Sequence, residues 1–232
     1  MPGKKAIFTD IDGALLKGYI TINFVNYLYA KGMFPQFSYD KQKELMLEFK
    51  KGKMTFVDWL EKWGEIWGNG IKGQNKSDIE SAANLFFPSF TPNIYRSSKE
   101  LISLFHKKGY IVVGVSVGVI ETASLVKQYL GLDAVFASIT EVKNGVYTNK
   151  VLTNLQTREG KQSTIKQFCA QNKINLSDCI GIGDSEHDEQ IFEIVGKSIA
   201  LNPNSNLLGI AGKKGYLVAT QSNVLDKVSG LL

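Results

Sequence analysis

The chain has 232 residues, 44% of them hydrophobic, enough apolar material for one large core or a core carrying a smaller insertion. Its net charge of +5 comes almost wholly from scattered lysines, with Arg96 and Arg158 the only arginines. This speaks against a nucleic-acid surface, which concentrates charge on one face and uses arginine forks. The longest apolar run, residues 110–120, is about half the length that crosses a bilayer, so no membrane partner is expected.

The N-terminus runs directly into a short apolar segment with no leader-like region, which points to a cytoplasmic setting. Cys169 and Cys179 then read as reduced, buried thiols, and the sequons at Asn75 and Asn175 as chance. Residues 6–9 form a short apolar strand pattern ending at Asp10-Ile11-Asp12-Gly13. From 17 to 89 only helical patterns occur, over 22–30, 40–50, 55–67 and 76–86. Trp59, Trp63 and Trp67 recur there at four-residue spacing, which reads first as a helix face packed into a core. Gly68-Asn-Gly70-Ile-Lys-Gly73 matches a dinucleotide fingerprint literally, but it has a helical pattern before it and a polar stretch after it, so it reads as a helix-ending linker.

Strand patterns return at 110–115, 134–137, 179–182, 198–201 and 216–218, with helical patterns at 97–108, 120–130 and 161–171. Asn144-Gly145 marks a hairpin within 139–148. Alternating strands and helices predict an α/β fold: a Rossmann-like three-layer α/β/α parallel sheet with an inserted helical domain. The expected division is 1–16 and 90–232 for the core and 17–89 for the insertion.

Four elements carry chemistry, each at a strand end or helix start, where open α/β sheets bind ligands. Asp10 and Asp12, two apart on a strand, can face one volume, and a hard divalent cation such as Mg²⁺ would stabilise the pair. Asp184, in Gly183-Asp-Ser-Glu-His-Asp188, sits at a second strand tip and can supply a further carboxylate, with Asp188 one turn on as a supporting partner. Ser116 and the N–H groups of Val117 and Gly118 can donate to phosphate oxygens. Lys161 follows Gly160 at a helix start, where an anion also meets backbone amides; Gln162 and the missing upstream glycine exclude a P-loop. His106 and His187 are isolated, so no histidine-based zinc site or triad is expected.

Taken together, Asp10-x-Asp12-Gly13, Ser116, Lys161 and Gly183-Asp184-x-x-x-Asp188 resemble the haloacid dehalogenase superfamily, in its phosphoserine phosphatase-like branch. Leu130-Gly-Leu-Asp, Gly145-Val-Tyr-Thr148, Gly160-Lys161 and Ala200-Leu-Asn-Pro203 resemble the same branch. The resemblance implies a Mg²⁺-dependent phosphatase of a small organic phosphomonoester. Asp10 would be the nucleophile and Asp12 the acid and base. Asp10, the Asp12 carbonyl and Asp184 would hold the metal, and Ser116 and Lys161 would bind the phosphoryl group. The helical insertion would be a cap that closes over the substrate. Phosphoryl transfer to another acceptor, or phosphate-ligand binding without catalysis, are the alternatives, and the oligomeric state is open.

Two departures stand out. The family carries threonine where this chain has Ala14, so a hydroxyl that helps hold the loop is absent. The acidic residue and cap arginine that read a phosphoserine's ammonium and carboxylate are also missing: the matching stretch is Leu15-Leu-Lys-Gly-Tyr19, and no arginine precedes Arg96. Phosphoserine is therefore disfavoured, and an apolar or cationic organic phosphate fits the aromatic insertion better.

Overall fold

The computed structural model describes residues 3–153 and 155–232. Six parallel strands form one sheet: β1 (Lys5–Thr9), β2 (Tyr110–Val119), β3 (Ala134–Ser138), β6 (Ile180–Gly183), β7 (Lys197–Leu201) and β8 (Leu217–Ala219). Their order is β3-β2-β1-β6-β7-β8, so the first strand of the chain is central, and the order reverses about it. Thr9 is level with Gly114 of β2 and with Ile182 of β6, which brings the ends of these three strands side by side. Ala6, Ile7 and Phe8 are fully buried because both faces of the sheet are covered, as parallel sheets require. The covering helices include α5 (Arg96–Lys107), α6 (Ile120–Leu130), α7 (Arg158–Asn172), the short α8 (Glu189–Phe192), α9 (Ser205–Lys214) and α10 (Val224–Leu231). The last two lie beyond the helices expected from periodicity.

Two boundaries differ from the sequence reading. β2 continues to Val119 instead of ending at 115, but its pairing with β3 slips between Val115 and Val119. Ser116 and Gly118 therefore lie on an irregular strand end rather than in the turn before α6. Helix α7 begins at Arg158, capped by Thr157 Oγ1 accepting from the Gly160 N–H (3.0 Å), so Lys161 falls in its first turn.

Between β1 and α5 the chain forms four helices, α1 (Ile20–Ala30), α2 (Gln36–Lys50), α3 (Phe56–Ile71) and α4 (Lys76–Phe90). This segment leaves and re-enters the core at one place, where Leu16 bridges Ile94 and the Lys17 N–H donates to Asn93 O (2.8 Å). Its interior is aromatic. The Trp63 and Trp67 rings stack 6.0 Å apart, and Phe24 packs between Trp67 and Phe86. The tryptophan stripe is thus largely a packing face, although Trp59 and Trp63 also reach a cavity described below.

The hairpin β4 (Thr140–Lys143) and β5 (Val146–Val151) turns at Asn144 and Gly145, with φ of +51° and +80°. It lies against α3 rather than joining the main sheet. Trp67 Nε1 donates to Thr140 Oγ1 (3.1 Å, buried), and the backbone of residues 73–76 bonds to Tyr147 and Gly145. Here the fingerprint-like glycines find their use. Gly68 and Gly70 belong to the last turns of α3, and a Cβ on Gly68 would stand 2.4 Å from Asn149 O. Gly64, on the same helix, has open space at the equivalent point. Alanine gains roughly 0.5–1 kcal/mol of helix propensity over glycine, so Gly64→Ala is expected to stabilise by that amount. Gly68→Ala is expected to destabilise by about 1–3 kcal/mol, because a backbone carbonyl cannot swing aside. Urea unfolding of the two variants reads the opposite signs.

Candidate active site

Asp10 follows β1, and its N–H donates to Ile182 O (2.8 Å), which ties it to the end of β6. Asp184 follows β6 directly. The two loops interlock through Gly13, whose φ is +88° and whose position leaves no room for a side chain: a Cβ would lie 2.0 Å from Asp184 Oδ2. Glycine after Asp12 is therefore a steric requirement of bringing the second acidic loop against the first.

Beneath these carboxylates lies Lys161, fully buried. Its Nζ donates to Asp188 Oδ1 (2.9 Å) and lies 3.6 Å from Asp10 Oδ1. Burial works against the ammonium, but Asp188 and Asp10 outweigh it and hold its pKa above the ordinary lysine value. Asp188 Oδ2 accepts from the N–H groups of Asp184 (3.0 Å) and Ser185 (3.2 Å), so one carboxylate fixes both the lysine and the loop that carries Asp184.

Asp10, Asp184 and Asp188 each offer an oxygen within 4.8 Å of the others. Burial, and then Asp188, raise the Asp10 carboxyl well above its usual value; the same two causes push Asp184 up to about 8. A set of hard oxygens that burial and mutual repulsion destabilise as anions is one that a divalent cation would relieve, and it fits Mg²⁺.

Asp12 faces elsewhere. Its Oδ1 accepts from the Ile20 N–H at the start of α1 (2.8 Å), and Ser116 Oγ lies 3.5 Å from its Oδ2. Burial pushes its carboxyl up to about 6, against the lowering effect of these two donors. Ser116 Oγ also accepts from the Gly118 N–H (2.9 Å). Val117 and Gly118 line the cavity above the carboxylates, with Asp10, Asp12, Asp184 and Asp188. Ser116 and Lys161 sit behind that surface, at 2% and 0% exposure, so the lysine expected near a bound anion works here from underneath.

Further residues line the cavity. Tyr19 and Thr21 come from the entry to α1, and Thr21 Oγ1 accepts from the Val119 N–H (3.2 Å), pinning that helix to β2. Burial, with Asp184, Asp12 and Asp10, pushes the Tyr19 hydroxyl up to about 12. His187 is buried beside Gln190, and burial together with Lys161 pushes it down to about 3, so it is neutral. A hydroxyl–amide contact across about 100 residues has no local pattern by which to be found. At Ala14 the loop is held through its backbone: Gln221 Nε2 donates to Ala14 O (3.1 Å), and its Oε1 accepts from Ser97.

The family model of haloacid dehalogenase-like hydrolases matches residues 7–193. The chain belongs to that family. A phosphoserine phosphatase of Idiomarina loihiensis is 31% identical over 163 residues, covering 70% of this chain and 69% of the relative. A Bordetella pertussis protein of unknown function superposes with a TM-score of 0.82 at 19% identity, covering 94% of this chain and 99% of its own. A substrate-bound phosphoserine phosphatase gives a TM-score of 0.71 at 21% identity over the whole of both chains. Within its family this haloacid dehalogenase-like hydrolase falls in the phosphoserine phosphatase-like branch, with a Rossmann-like core and a helical cap, and is an enzyme acting on phosphoric monoesters. Among the described residues, no helix is long and apolar enough to cross a membrane.

The buried ammonium separates this site from a surface charge. Lys161→Met leaves Asp10 and Asp188 without their counter-ion and should cost about 3–5 kcal/mol. An exposed lysine would move stability by no more than roughly 0.5 kcal/mol. Urea midpoints at pH 7, with Lys166→Met as the exposed reference, decide it.

Proposed function

We propose that this chain is a Mg²⁺-dependent phosphatase of small organic phosphomonoesters that works through an aspartyl-phosphate on Asp10. The observation that carries the reading is the division of labour between the two aspartates of the first loop. Asp10 lies beside the Lys161 ammonium and Asp184, whereas Asp12 is turned to the Ile20 N–H, with a carboxyl pushed up to about 6. A carboxylate held by a cation suits a nucleophile, and a carboxyl that titrates near neutrality suits proton transfer.

In the first step an Asp10 oxygen attacks phosphorus, the bond to the ester oxygen breaks, and Asp12 gives its proton to the departing alkoxide. In the second, Asp12 takes a proton from water, the water oxygen attacks phosphorus, and the bond to Asp10 breaks, which releases phosphate and restores both carboxyl groups. Lys161 holds Asp10 in place and offsets its charge throughout. The Val117 and Gly118 N–H groups, on the irregular end of β2, would serve the phosphoryl oxygens, the Gly118 N–H by exchanging its present acceptor, Ser116 Oγ, for the phosphate. Asp10, the Asp12 carbonyl and Asp184 would hold Mg²⁺, with Asp188 as their support; the ion would let two anions approach and would offset charge on the transferring group. The helices of residues 17–89 act as the cap that excludes water from these steps.

The first test is hydrolysis of an aryl phosphate with Mg²⁺, with EDTA, and by two variants. Activity is expected to require the metal and to fall roughly 10³-fold or more in Asp10→Asn. Asp12→Asn should lose about 10²–10⁴-fold, as befits a general acid and base. Mass analysis of acid-quenched enzyme should show a phosphoryl group on wild type and none on Asp10→Asn. An Asp10→Asn enzyme that keeps its activity ends the assignment of the nucleophile.

A further inference from the structure

The alcohol half of the substrate has to occupy the cavity above Asp10 and Asp12, and that cavity is small, about 200 Å³. This is below the range of pockets that hold drug-sized ligands, so a short alcohol fits and a nucleoside does not. One wall is aromatic. Tyr19 and Trp59 have ring centroids 5.6 Å apart, Phe49 stacks on Trp59 at 5.2 Å, and Trp63 continues the wall. On the loop after β6 stands Glu186, whose two carboxylate oxygens accept from Asn204 Nδ2 (2.7 Å) and Asn206 Nδ2 (2.9 Å). Among the described residues neither lysine nor arginine lines the cavity, and the charged residues that do are carboxylates.

Each feature constrains the occupant. A substrate carboxylate would meet Glu186 with no cation to separate them, at a cost that burial increases. A purely apolar group would strip water from Glu186 and give nothing back. A positive amine satisfies both walls: it is attracted to the faces of aromatic rings and to the carboxylate.

We propose that this pocket selects phosphomonoesters of short alcohols bearing a positively charged amine and no carboxylate, with the ammonium lying between the Tyr19–Trp59 wall and Glu186. The proposal rests on the phosphatase reading for where the phosphate sits, but the preference itself can be read without turnover.

The deciding experiment uses choline phosphate and its neutral isostere 3,3-dimethylbutyl phosphate, which differ in charge and not in shape. Each is titrated into Asp10→Asn with Mg²⁺ present, following tryptophan fluorescence, and each is then assayed with the wild type alongside phosphoserine. Choline phosphate should bind about tenfold tighter or more than the isostere. In turnover its kcat/KM should exceed those of the isostere and of phosphoserine by a similar factor. In Glu186→Gln, and independently in Trp59→Leu, the choline-to-isostere ratio should fall toward one; two variants guard against one that fails to fold. Equal binding of the two esters, or phosphoserine as the best substrate, overturns the proposal. If the binding preference is present but no ester is hydrolysed, the phosphatase reading falls and this one stands. If aryl phosphate is hydrolysed but the preference is absent, the reverse holds.

Discussion

The Lys161 ammonium is fully buried among Asp10, Asp184 and Asp188, and both acidic loops take their positions from it. A lone buried ammonium is costly, and three buried carboxylates more so; each makes the other tolerable. Three carboxylates and one ammonium leave a formal charge of −2, the charge a single divalent ion cancels. The hydrogen bonds beneath the site repeat this economy. Asp188 receives the lysine on one oxygen and the Asp184 loop on the other, so the strand tips of β1 and β6 and the first turn of α7 share one anchor.

Above this anchor the chain is held by contacts of great sequence separation. Asp12 accepts from the N-terminus of α1, Thr21 of that helix accepts from the end of β2, and Gln221, near the C-terminus, supports the loop at Ala14. The cap is therefore fastened to the core at Asp12 and at the end of β2. Any change at the entry to α1 reaches Asp12 directly, through a single hydrogen bond. The same entry places Tyr19 over the carboxylates, so the residues that orient Asp12 and those that shape the cavity above it lie on one short stretch of backbone.

Much of this was legible in the sequence, for identifiable reasons. Apolar runs that stop at Asp10 and at Asp184 mark strand ends, and two such ends in one parallel sheet must lie on the same side. The hairpin was legible from Asn144-Gly145, because few residue pairs adopt positive φ in succession. Less visible was the depth of Lys161: a lysine in a helical pattern looks the same whether it faces water or three carboxylates. The extension of β2 through Ser116 was hidden because Gly114 and Gly118 resemble turn residues, yet the strand goes on with a slip in its pairing. Thr21 and Gln221 had no local signature, since their partners lie about one hundred to two hundred residues away. The fingerprint-like glycines, expected in a helix-ending linker, begin inside the last turns of α3, and the close packing of Gly68 against the hairpin shows only once α3 and β5 are side by side.

The central position of β1 also bears on how the protein comes to exist. Both neighbours of this strand, β2 and β6, are made long after it. At roughly 5–20 residues per second, β1 waits on the order of 5–20 s for its first partner and longer for its second. The aromatic face of α3 likewise waits for the hairpin that covers it. During synthesis the strand thus stays unpaired until β2 has emerged, and the helix bundle keeps an uncovered edge until the hairpin of β4 and β5 has emerged. β1 therefore completes its pairing only once β6 has emerged, and Asp10 and Asp184 meet only then.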